Sequence, residues 1–154
     1  MHAFVTVGST RFDTLVQAVF TEDVLSSLYR KGYTRLVVQC GNSTFELAST
    51  IKNGNTHKMN RAGVDIEFWS YKPSLQEDYE KADLVISHAG RHLLSYGRVV
   101  MGFFELLGSG TILDVLRMGK PMIVIPNPTL LHNHQEELAS ALEELRHLKA
   151  TTVS

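Results

Sequence analysis

Five short apolar runs constrain this chain more than any other feature. Ala3 to Val7, Leu36 to Gln39, Val64 to Trp69, Asp83 to Ser87 and Met122 to Ile125 each read as a strand. Helical patterns alternate with them. Phe12, Leu15, Val16, Val19 and Phe20 recur at three and four, and Leu25 to Lys31 continues that helix until Gly32. Ser9 or Thr10 is its expected cap, with Asp13 in the first turn. Phe45 to Ile51 reads as a short helix. Leu75 to Ala82 reads as another, capped by Ser74, and the last runs from about Asn133 to Leu148. The polar stretch Lys52 to Ala62, with two Asn around Gly54, reads as a surface loop. Near-continuous apolar strands alternating with helices predict an α/β fold, a Rossmann-like doubly wound parallel sheet covered on both faces.

In such sheets ligands bind beyond the carboxyl ends of the strands. Gly8, Gly41, the loop after Ser87 and residues Asn127 to His134 all fall on that edge. The first strand–glycine–helix unit lacks a full GxGxxG, so no dinucleotide fingerprint is met, and Gly8 reads equally as a tight-turn residue or a ligand-facing one. The stretch from Asp83 to Asp114 carries the stronger signal. DLVISHAG runs toward Gly90, Gly108 and Gly110, and Thr111 opens a helical pattern that Gly119 and Pro121 stop. A strand leading through glycines into a helix start suits an anion, because backbone N–H groups and the helix dipole both favour negative charge.

Asp114 lies one turn inside that helix, where a carboxylate can accept ribose hydroxyls; spacing alone favours the plainer reading of a solvated carboxylate. His132-Asn133-His134-Gln135-Glu136-Glu137 opens the last helix. His132 and His134 are too close in sequence to share a helix face, which argues against a metal pair, and Asn133 with Glu136 resembles a capping box. Gln135 remains available to a ligand hydroxyl. His88 ends the central strand, where a structural hydrogen-bonding role is the plainer reading and a base the weaker one. No Ser/His/Asp or Cys/His arrangement is present, and Cys40 is the only cysteine, so no intrachain disulfide forms.

Length and composition add bounds. A chain of 154 residues suggests a single domain, 1–154, and 44% hydrophobic with 20% charged residues is a globular balance. The net charge of −1 gives no pointer to nucleic acid. No run approaches the roughly 20 apolar residues of a spanning helix, and no signal peptide opens the chain, so a role at a membrane needs another anchor. Arg91 to Gly108 is the odd segment. Its 18 residues are rich in apolar side chains, with Phe103 and Phe104 adjacent, and they divide a loop type that normally takes only a few residues. A hydrophobic lid or membrane-touching hairpin is one reading; an untuned insertion, 91–108, is the favoured one.

VGSTRFDTLV, VVQCGNS, DYEKADLVISHAG, GSGTILDVLRMGKPMIVIPN and LLHNHQEELA, in that order, resemble one family. It is that of the soluble catalytic subunits of the eukaryotic UDP-GlcNAc transferase that adds the second GlcNAc to dolichyl-diphosphate-GlcNAc. The likeness covers residues 1 to about 142 apart from the inserted block. The family is similar to the C-terminal half of GT-B glycosyltransferases and related to the bacterial enzyme that makes lipid II. The resemblance implies a Rossmann-like donor-binding domain for UDP-GlcNAc. It also implies a membrane-anchored partner subunit that completes the cleft and recruits this chain from the cytoplasm to the cytosolic face of the endoplasmic reticulum. Ser109, Gly110 and Thr111 are then expected at the UDP diphosphate, Asp114 at the ribose hydroxyls, His134 and Gln135 at diphosphate and sugar, and Gly8, Ser9 and Gly90 along the cleft. Inverting transfer is implied, with fixed dipoles and no metal or cofactor at the leaving diphosphate. Two departures stand out: the 91–108 insertion, and the ending EELRHLKATTVS, which replaces an expected further strand and helix. They motivate the alternative of a non-catalytic isoform that keeps the fold and the partner surface.

Overall fold

The computed structural model describes residues 1–9, 11–51, 54–88, 115, 117–125 and 148–150. The chain divides into two compact units, Met1–Asp83 and Leu84–Ser154.

The first unit holds strands β1 (His2–Thr6), β2 (Arg35–Gln39), β3 (His57–Arg61) and β4 (Val64–Trp69), with helices α1 (Asp13–Val19), α2 (Glu22–Arg30) and α3 (Gln76–Lys81). Their order is β3-β4-β2-β1. β1 and β4 both run parallel to β2, as the apolar runs predict. Thr6 pairs with Gln39 and Gln39 with Trp69, so three strands end level with one another.

Side chains alternate across this sheet and each face has its own cover. On one face Phe68 meets Phe20 at 5.1 Å and Phe45 at 6.0 Å, and those two rings stack at 5.3 Å. On the other, Phe4 meets Tyr79 of α3 edge-on at 5.2 Å and Trp69 at 6.4 Å. All six aromatic side chains are buried. Burial of this kind stabilises by roughly 25 cal/mol per Å² of apolar surface.

Several details depart from the sequence expectations. The stretch taken for a loop, Lys52 to Ala62, contains β3, which pairs antiparallel with β4 from His57↔Phe68 to Arg61↔Val64. The two are joined by a two-residue turn with positive φ at both Ala62 (51°) and Gly63 (79°), the conformation whose twist suits a hairpin. The sheet of this unit is therefore mixed at its edge. The first helical run is two helices, broken at Phe20 and Thr21, where Thr21 Oγ1 donates to the Ala18 carbonyl at 2.7 Å. Ser9 does not cap α1. Phe12 holds the cap position without a side-chain bond, and its own N–H donates to Ser43 Oγ at 2.9 Å; Thr10 lies outside the described residues. Phe45 to Ile51 narrows to a single 3-10 turn, Ala48–Ile51. Leu75, not Ser74, holds the cap position of α3 without a side-chain bond, though Ser74 Oγ just before it accepts from Gln76 N–H at 3.2 Å.

The second unit holds β5 (Leu84–His88), β6 (Met122–Ile125) and β7 (Leu148–Ala150). β6 runs parallel to β5, from Val85↔Met122 to His88↔Ile125, and β7 parallel to β6, from Met122↔Leu148 to Val124↔Ala150. β7 overturns two expectations at once. Leu148 belongs to a strand, not to the last helix, and the divergent ending still supplies a strand. Val115, which is buried, and Arg117 are helical, and Gly119 takes a positive φ of 66° where the stop was expected.

Among the described residues no helix is long and apolar enough to cross a membrane, and no cluster of His, Cys, Asp or Glu could hold a metal ion.

Candidate functional site

The level ends of β1, β2 and β4 bring three loops together in the first unit. They are held by a side chain that the apolar pattern hides. Gln39 is 2% exposed. Its Oε1 accepts from Thr6 Oγ1 at 2.8 Å, Val7 N–H at 3.1 Å and Gly8 N–H at 2.7 Å. Its Nε2 donates to the carbonyls of Gly8 at 2.9 Å and Ser70 at 2.8 Å. A buried amide is costly unless its groups are bonded, and here both N–H groups and the oxygen are used.

The same edge has two further ties. Gly41 N–H reaches Ser70 O at 3.1 Å and Cys40 N–H reaches Trp69 O at 2.8 Å, so the loop after β2 follows the end of β4. Asp13, at the start of α1, accepts from Thr44 N–H at 2.7 Å and, through both oxygens, from Arg11 at 2.7 to 3.0 Å. The Arg11 guanidinium, first by hydrogen bonding, holds the Asp13 carboxyl below its usual range. Lys72 follows β4. Its ammonium sits 4.1 Å from the centre of the Trp69 ring and 3.4 Å from Asp78 Oδ1, a cation fixed by a ring face and a carboxylate.

Within this frame Gly8 takes a φ of 62°, half-buried, and Ser9 is exposed. Among the described residues, a Cβ built on Gly8 would meet nothing within 4 Å. The turn after β1 thus has its polar backbone bonded inward and an unobstructed outer side, which leaves room for a ligand to approach the chain closely. Among the described residues the edge offers dipoles and two held cations, Arg11 and Lys72. Cys40 is buried, its Sγ lies 3.8 Å from the Val38 carbonyl, and burial pushes its thiol up to about 12, so it stays protonated and inert. His2 is at the opposite, amino end of β1, and burial lowers its pKa.

Of the residues singled out from the sequence, Gly8 and Ser9 stand on this edge. His88 ends β5, its side chain outside the described residues. Gly90, Ser109, Gly110, Thr111, Asp114, His134 and Gln135 also lie outside them. Gln39, Thr6, Ser43 and Ser70 were missed as contributors. The available signal was a glutamine ending an otherwise apolar strand directly before Cys40-Gly41.

An α/β unit whose parallel strands end level, two of them running into glycine turns at Gly8 and Gly41, has the doubly wound kind of architecture. The chain belongs to a narrower group, the glycosyltransferase family 28 C-terminal domain, whose description matches residues 2–93 and 108–153. It is 37% identical over 145 residues to the human UDP-N-acetylglucosamine transferase subunit ALG13, which covers 94% of this chain and 10% of that protein. It is 32% identical over 153 residues to the ALG13 subunit of Yarrowia lipolytica, covering 96% of this chain and 63% of the relative. The chain thus spans about a tenth of the human relative and under two thirds of the yeast one. Among solved structures, the solution NMR structure of ALG13 matches with a TM-score of 0.66 at 24% identity, covering 99% of this chain and 79% of that one. The crystal structure of Acinetobacter baumannii MurG matches with a TM-score of 0.62 at 17% identity, covering 98% and 36%. These two likenesses establish the fold: mixed α/β, mostly parallel, as in one half of a GT-B transferase.

Proposed function

We propose that this chain is the donor-binding subunit of a transferase that moves GlcNAc from UDP-GlcNAc to dolichyl-diphosphate-GlcNAc, the second step of lipid-linked oligosaccharide assembly for N-glycosylation. The observation that carries the reading is the 37% identity, across 94% of this chain, to a UDP-N-acetylglucosamine transferase subunit. The turn at Gly8 and Ser9, open on its outer side at the carboxyl edge, supports it. Residues 1–154 then form one donor-nucleotide domain. Gly8, Ser9 and Gly90 line the cleft, Ser109, Gly110 and Thr111 hold the diphosphate, Asp114 holds the ribose, and His134 and Gln135 contact diphosphate and sugar.

In the reaction an acceptor oxygen attacks the anomeric carbon and the bond from that carbon to UDP breaks. UDP leaves with the bonding electrons, and the acceptor proton passes to a general base, for which His88 is the candidate on this chain. Fixed N–H dipoles stabilise the leaving diphosphate. The relatives are named as subunits, which supports a partner. A membrane-anchored partner would supply the rest of the cleft and hold this chain at the cytosolic face of the endoplasmic reticulum.

The test is thermal unfolding with and without millimolar UDP-GlcNAc in the presence of the partner. Saturation at about 100 times Kd stabilises by ~2.7 kcal/mol, and Asp114→Ala should remove most of the shift. A melting curve unmoved by the donor counts against the reading. One observation favours a second reading, a non-catalytic isoform competing for the partner: the family description leaves residues 94–107 unmatched, inside the 91–108 block. Deleting 91–108 should then restore transfer, and equal activity of the intact and deleted forms refutes that isoform.

A further inference from the structure

Gln39 is buried beside the cleft-lining turn and belongs to none of the roles assigned above. We infer that Gln39 is a positioning residue for donor binding: its amide sets the Gly8–Ser9 turn in the shape that receives the nucleotide sugar. This deepens the donor-binding reading and rests on it.

A polar side chain 2% exposed at the end of an apolar strand loses its water and must recover those hydrogen bonds internally. Leucine or methionine would fill similar volume without that demand. The amide is useful because of what it bonds. The pairing of β1 with β2 ends at Thr6↔Gln39, and the turn that follows needs partners for its N–H and C=O groups. Gln39 takes both polar groups of Gly8, the N–H at 2.7 Å and the carbonyl at 2.9 Å, with opposite ends of one amide. A planar amide that grips both groups of one residue fixes that residue's orientation. The remaining N–H binds Ser70 O at 2.8 Å, so the turn after β1 is registered against the end of β4.

Donors on Oε1 and acceptors on Nε2 define the amide's orientation, since flipping it would set N–H against N–H at both Val7 and Gly8. With its polar groups turned inward, Gly8 presents only its Cα side outward, where no described residue stands within 4 Å of a Cβ, and exposed Ser9 is the next residue able to meet a ligand. Setting this shape before the donor arrives removes an ordering cost from binding. The change belongs in donor affinity, not in the chemical step.

Two variants test this in the full chain assembled with its partner. Gln39→Glu keeps the shape and the accepting oxygen but replaces the donating nitrogen with an oxygen facing two carbonyls. It should raise KM for UDP-GlcNAc about tenfold, the scale of one or two lost hydrogen bonds, with kcat and the acceptor KM within about twofold. Protonation gives that carboxyl one donor back, so the KM defect should grow from about pH 5 to about pH 8. Hydrogen exchange over residues 7–9 should quicken. Thr6→Val removes one of the three donors to Oε1. It is the milder probe if Gln39→Glu folds poorly, and should raise donor KM about two- to threefold. Wild-type protein that binds donor, with both variants leaving donor KM unchanged or lowering kcat alone, overturns the positioning role and leaves the donor-binding reading intact. Wild-type protein that binds no UDP-GlcNAc overturns both.

Discussion

The two ends of the first unit's sheet are polar in different ways. At the carboxyl ends of β1, β2 and β4 the polar groups are buried or half-buried and bonded to a single amide, Gln39, whose oxygen takes three donors and whose nitrogen takes two carbonyls. At the hairpin of β3 and β4 they are charged and solvated. There a groove of about 410 Å³ is lined by Arg35, Lys58, Met59, Asp65, Ile66 and Glu67. Glu67 meets Arg35 at 3.3 Å and Lys58 at 3.9 Å, and those two basic side chains are 58% and 75% exposed. Water competes for every charge in that groove, and holding two long side chains together costs rotamer entropy, so such pairs contribute little. The Gln39 network contains no full charge, yet losing it takes the side-chain partner from both polar groups of half-buried Gly8 at once. Hydrogen-bond matching and burial, more than the count of charges, decide which end depends more on its polar groups.

The largest expected effect tests the buried end directly. Gln39→Leu leaves Gly8 N–H and Gly8 O without their side-chain partner, while Ser70 O keeps Gly41 N–H, and should cost at least ~2 kcal/mol in denaturant unfolding at ~1–3 kcal/mol per stranded group. A loss below ~1 kcal/mol would erase the contrast between the two ends. An intermediate effect lies at Asp13. Its folded pKa is depressed, so its contribution is present above the unfolded value of about 3.9 and is lost as pH falls through the folded pKa. Asp13→Asn should therefore flatten the acid limb of the stability curve. It should cost less than ~1 kcal/mol at neutral pH, since the pair with Arg11 is largely exposed. An acid limb unchanged in the variant would assign that limb to other carboxylates. The smallest effect is at the hairpin, where Glu67→Gln should change stability by no more than ~0.5 kcal/mol, fading further in high salt. A larger, salt-resistant loss would mean the groove is more than a solvated surface.

Much of this was legible in the chain itself. β1, β2, β4, β5 and β6 carry continuous or alternating apolar residues, because strands buried in a parallel sheet have no polar face to advertise. β3 was not legible for the converse reason. His57, Lys58, Met59, Asn60 and Arg61 form an edge with a solvated face, and their composition is that of a loop. The turn residues Ala62 and Gly63 were the available hint. β7 was hidden similarly, since Leu148, Lys149 and Ala150 are too few to set a period. At the site, the end of the first apolar run pointed to Gly8 and the family resemblance to Ser9; both stand on the carboxyl edge. The Gln39 network escaped notice because its partners lie about thirty residues apart in sequence and meet only through strand register.

The central claim is that the donor binds at the carboxyl edge. Hydrogen exchange on the full chain with its partner, with and without saturating UDP-GlcNAc, tests it most directly. The account predicts slowed exchange over residues 7–9 and no change across the hairpin from His57 to Val64. Unaltered exchange at residues 7–9, or protection confined to the hairpin, would contradict it.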